Sequence, residues 1–67
     1  MLLSKDKIQT QLSNREIQVV DKLLDGLPNK LIARQLFISE RTVKFHCTNI
    51  YRKLEVNGRY QLASLLN

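Results

Sequence analysis

The side chains with the most to offer chemically lie between residues 41 and 52: Arg41, Lys44, Phe45, Thr48, Asn49 and Arg52. They are what remains of a helix once Val43, His46 or Cys47, Ile50 and Leu54 are assigned to its buried face. Guanidinium, ammonium, hydroxyl, carboxamide and one aromatic ring are the groups that meet base edges and phosphates in a nucleic acid. An outward Phe45 among cations suits an apolar contact with a thymine methyl; the alternative is that it packs back on the preceding helix or on the tail. Bond-making chemistry finds no comparable set. One histidine, one cysteine and two glycines leave no nucleophile–base pairing, so the chain is expected not to be an enzyme and to need no cofactor. His46 and Cys47 are adjacent and have no companions at metal-ligand spacing, and a lone cysteine makes no internal disulfide. Cys47 reads as a small, partly buried hydrophobe, and His46 as a residue satisfied beside the core.

The charge is concentrated. Residues 1–28 balance Lys5, Lys7, Arg15 and Lys22 against Asp6, Glu16, Asp21 and Asp25, whereas residues 29–60 set Lys30, Arg34, Arg41, Lys44, Arg52, Lys53 and Arg59 against Glu40 and Glu55 alone. The whole excess of +5 therefore falls in one 32-residue stretch, as on a surface that meets a polyanion. The competing reading of such a run is a solvated basic face.

These side chains need elements to hold them, and the sequence predicts an all-α chain of four helices at about 14–25, 28–36, 40–54 and 59–66. Ser13 and Glu16 have capping-box spacing, with Ile17, Val20, Leu23 and Leu24 as the buried stripe that follows and Gly26 as the stop. Pro28 suits the first position of a second helix, whose Ile32, Ala33 and Leu36 face inward. Phe37 and Ile38 form a turn, Ser39 caps the third helix, and Asn57-Gly58 breaks it. Leu62, Ala63, Leu65 and Leu66 line the apolar side of the fourth. Residues 1–11 read as a tail or linker and 12–67 as one domain. At 67 residues the domain buries only about 60% of its unfolded surface, so the core is thin. No stretch is apolar enough to span a membrane, and Met1-Leu2-Leu3 is too short for a signal-peptide core. The cytoplasm, at the nucleoid, is the expected compartment.

Helices two and three are joined by very few residues, and Ala33 is small where they must approach. That is a helix-turn-helix, which leaves one face of the third helix free to enter a major groove. In order and spacing, the chain resembles the LuxR-type helix-turn-helix domains shared by the NarL/FixJ response regulators. The resemblance covers about residues 12–66. It rests on Leu12-Ser13-x-Arg15-Glu16, on Gly26-Leu27-Pro28-Asn29-Lys30-x-Ile32-Ala33, and on Leu36-x-Ile38-Ser39-Glu40-x-Thr42-Val43-Lys44-x-His46, completed by Asn49-Ile50, Lys53-Leu54 and Arg59.

That resemblance implies sequence-specific duplex DNA binding in transcriptional regulation. It places Lys44, Phe45 and Thr48 at base edges and Asn29, Lys30, Arg34, Arg41, Thr42, Asn49 and Lys53 at phosphates. It implies a homodimer on DNA through helix four, with Leu62, Leu65 and Leu66 contributing, and RNA polymerase as a further partner. Domains of this kind usually follow a receiver or ligand-binding domain, for which residues 1–11 would end a linker. Phe45 is larger, and Thr48 shorter, than residues common there, so no relative's operator carries over. Two other functions compete: a protein-docking module, which the scattered cations disfavour, and a nucleoid binder without sequence preference.

Overall fold

A computed structural model describes residues 11–66, so nearly all of the expected tail or linker over 1–11 lies outside the described residues. Among the described residues there are four helices and no strand: α1 (Asn14–Leu24), α2 (Asn29–Leu36), α3 (Glu40–Leu54) and α4 (Arg59–Leu66). The order and number match the sequence reading. α1 starts where the capping box places it. The Glu16 backbone N–H donates to Ser13 Oγ at 3.1 Å, and the Ser13 N–H donates to Glu16 Oε1 at 2.9 Å. Two donors that a helix start leaves without partners are thus satisfied reciprocally.

The helix ends share one device. After α1, the Leu27 N–H reaches back to the Lys22 carbonyl and the Gly26 N–H to that of Leu23. After α2, Ile38 bonds to Ala33 and Phe37 to Arg34; after α3, Val56 bonds to Tyr51 and Glu55 to Arg52. Each is a Schellman closure with one residue in the left-handed region: Gly26 at φ +83, Phe37 at +58 and Glu55 at +57. The residue after it (Leu27, Ile38 or Val56) folds back onto the core. Only the first of the three closures uses glycine.

α2 starts within a residue of the expected position. Pro28 is its N-cap, extended at φ −70 and ψ 157, and its carbonyl accepts from Leu31 and Ile32. α1 likewise ends one residue before the expected position, at Leu24.

Val19, Ile32, Val43, Ile50 and Leu62 are fully buried, and Leu12, Val20, Leu23, Ala33, Cys47 and Leu54 complete the core. Each fully buried aliphatic side chain contributes about 1.5–3 kcal/mol. The stripe expected on α1 is corrected in phase: Glu16, Val19, Val20 and Leu23 point inward, Ile17 is half-buried and Leu24 is 41% exposed. The physical reason is Glu16. Its carboxylate takes an inward position at the core's edge, held by the Ser13 N–H and by Lys53, and Val19 beside it is fully buried. α3 packs on both α1 and α2, with Cys47, not His46, on its buried face.

Candidate nucleic-acid interface

α2 and α3 are joined by Phe37, Ile38 and Ser39. Ile38 packs on the core while Phe37 points to solvent, 93% exposed. Ser39 then caps α3: its Oγ accepts from the Thr42 N–H at 3.0 Å and lies 2.9 Å from Thr42 Oγ1. With Val43, Cys47, Ile50 and Leu54 turned inward, the opposite face of α3 presents Arg41, Lys44, Phe45, Thr48 and Arg52, all exposed. Phe45 is 63% exposed, with its ring edge-on to that of His46 at 6.0 Å between centroids. It does not pack into the core.

Hydrogen bonds set the orientation of several of these groups. Thr48 Oγ1 donates to the Lys44 carbonyl at 3.0 Å, which occupies the hydroxyl proton. Arg52 Nη2 donates to Asn49 Oδ1 at 3.0 Å. Lys30, Arg34, Arg41 and Lys44 are exposed and form no ion pair with a described residue.

Lys53 is directed elsewhere. Its Nζ donates to Glu16 Oε1 at 2.8 Å, the one ion pair among the described residues. Burial by itself would raise the Glu16 pKa, but the Lys53 ammonium and the Ser13 donors prevail and hold the carboxyl below its ordinary range. The phosphate role expected of Lys53 therefore competes with a contact that keeps Glu16 charged. Leu62, expected at a dimer surface, is fully buried in this chain's own core, whereas Leu65 and Leu66 are only partly covered. Cys47 is buried, and burial pushes its thiol up, which keeps it protonated and unreactive. Burial, with Cys47 alongside, raises Tyr51 as well.

Arg59 has a role that the sequence left undefined. From the first turn of α4 its Nη1 donates to the Leu27 carbonyl at 2.6 Å and its Nη2 to Asn29 Oδ1 at 3.2 Å. These contacts span 32 and 30 residues, so no local sequence signal could reveal them. Asn29 is thus held at the first position of α2, a helix whose N-terminus carries no side-chain cap.

Two helices joined by a tight turn, the second with a basic and polar outer face, define a helix-turn-helix domain. Residues 10–66 match the family of bacterial regulatory proteins known as the luxR family, and the chain belongs to it. It is 49% identical over 55 residues to a nitrate/nitrite response regulator protein homolog of Haemophilus influenzae, covering 82% of this chain and 26% of that protein. It is 46% identical over 56 residues to the CsgBAC operon transcriptional regulatory protein of Escherichia coli, covering 84% and 26%. With the nitrate/nitrite response regulator protein NarP of Escherichia coli it shares 52% over 48 residues, covering 72% and 22%. The chain thus spans about a quarter of the length of the relatives it matches. Among the described residues no helix is long and apolar enough to cross a membrane.

Proposed function

We propose that this domain binds duplex DNA sequence-specifically in transcriptional regulation, with α3 in the major groove. The observation that carries the reading is the outer face of α3: Lys44, Phe45 and Thr48 stand exposed together, free of the core and of ion pairs with described residues. Lys44 can donate to guanine O6 and N7. Phe45 offers an apolar surface to a thymine methyl. Because the Thr48 hydroxyl proton is bound to the Lys44 carbonyl, Thr48 would offer its methyl group and oxygen lone pairs, and so favours a thymine methyl or a base amino group.

Asn29, Lys30, Arg34, Arg41, Thr42 and Asn49 serve as phosphate donors in this reading, and the uncapped start of α2 favours an anion near Asn29 and Lys30. A second copy would meet α4 through the outward edges of Leu65 and Leu66, beside Tyr60, which is 90% exposed. Such a regulator acts where the chromosome is, in the bacterial cytoplasm.

Titrating a duplex into the isotopically labelled chain tests the reading. Backbone amides from Arg41 to Arg52 and at the start of α2 should shift most. Shifts confined to α4, or none at all, would overturn it in favour of a docking module.

A further inference from the structure

The two asparagines on the candidate face share an arrangement: each has its side-chain oxygen held by an arginine, Asn29 by Arg59 and Asn49 by Arg52. We propose that Arg59 is a positioning residue that fixes Asn29 as a hydrogen-bond donor toward a DNA phosphate. This rests on the duplex-binding reading above.

The chemistry of the pair sets the orientation. A guanidinium has five donors and no acceptor, so it can meet only the oxygen of a carboxamide; a reversed amide would set N–H against N–H. With Oδ1 taken, the end of Asn29 that remains is its NH2 group, with two donors. DNA phosphate oxygens only accept. The amide therefore presents the one end that a phosphate can use, before DNA arrives, and no rotation has to be frozen on binding. Arg59 is itself fixed by its second bond, to the Leu27 carbonyl at 2.6 Å, and is half-buried. Its charge is spent on the α1–α2 connection, not displayed to a ligand. The start of α4 thereby sets the geometry of the start of α2.

The test is a double-mutant cycle on Asn29→Ala and Arg59→Ala, reading duplex affinity, its salt dependence and the Asn29 side-chain amide signals in 1H–15N spectra of the chain. Loss of one such contact weakens binding by a few-fold to about tenfold. We expect each single variant to lose that much, the double variant to lose no more than either, and the salt slope to stay unchanged. In wild type the Asn29 amide protons should shift on adding duplex; in Arg59→Ala they should not. The spectra report folding directly. Should Arg59→Ala prove unfolded, Asn29→Asp replaces it, keeping an acceptor for Arg59 but no NH2, and should bind weakly while melting no lower than wild type. Losses that multiply, a salt slope reduced by about one in Arg59→Ala, or full affinity in Asn29→Asp would overturn the inference while leaving duplex binding intact. A wild-type chain that binds no duplex would overturn the reading beneath it, and this inference with it.

Discussion

Lys53 Nζ lies 2.8 Å from Glu16 Oε1, and this ion pair joins the last turn of α3 to the first turn of α1 across 37 residues of sequence. The same carboxylate oxygen accepts from the Ser13 backbone N–H. One buried acidic group thus caps one helix and anchors another. The pair adds a polar contact to the apolar packing that already holds α3, the helix with the candidate base-reading face, on α1.

Two substitutions separate the roles of Glu16. Glu16→Gln keeps the capping box, since glutamine serves at that position too, and loses only the charge. Lys53 is more than a third exposed and can turn to water, so the expected cost is about 1 kcal/mol. Glu16→Ala loses the cap as well and should cost about 2–3 kcal/mol. Thermal melts check both: for a domain of this size, 1 kcal/mol shifts Tm by about 4–8 °C. Equal shifts for the two variants would contradict the division.

The pair also predicts a pH dependence. The folded-state pKa of Glu16 lies below its unfolded value, so its contribution is complete above the ordinary carboxylate range and is lost as pH falls through the depressed folded value. Wild type should therefore lose Tm more steeply than Glu16→Gln as pH is lowered below about 4.5. Parallel curves would show that Glu16 is not the group involved.

Lys30 and Lys53 should behave differently on DNA although both are lysines. Lys30→Ala, removing an exposed cation at the start of α2, should weaken all duplexes alike and reduce the salt slope by about one. Lys53→Ala should lower Tm and leave the slope nearly unchanged, because its charge is directed to Glu16. A reversed pattern would restore Lys53 to the phosphate face.

Phe37 offers a test of backbone strain. It sits at φ +58 and ψ 43 with its ring 93% exposed, so the left-handed conformation is offset by little burial. Phe37→Gly should stabilise the chain by up to about 1 kcal/mol, through easier occupancy of that conformation. A lower Tm in the variant would show that the ring contributes to the fold after all.

Much of this architecture is legible in the sequence because its signals are local. Ser13 with Glu16, Ser39 with Thr42, and the apolar steps 43, 47, 50 and 54 each act within a turn or two of helix. The phase of α1 is less legible because a charged residue, Glu16, occupies an inward position, held there by its local cap and by a partner 37 residues away. Two of the three helix closures escape a glycine search because Phe37 and Glu55 hold the left-handed position. Leu62 looked available for a partner, since an apolar stripe on a short helix does not say which leucines its own core consumes. The partners of Arg59, like that of Lys53, lie too far along the chain for a local pattern to show them. The meaning of Arg59 lies in a carbonyl of the distant α1–α2 connection and a carboxamide at the first position of α2.

Base discrimination by α3 depends on side chains such as Lys44, which stands exposed on the outer face of the helix. Lys44→Ala should cost about 1–3 kcal/mol on the preferred site and relax one base position. The comparison is made by selecting sites from a randomised duplex pool at near-physiological salt with wild type and with Lys44→Ala. Wild type should enrich a half-site, paired at fixed spacing if α4 dimerises, and the variant should lose preference at one position. No enriched motif, with binding that disappears as salt rises, would contradict sequence-specific recognition; an unchanged motif in Lys44→Ala would contradict the part assigned to that residue.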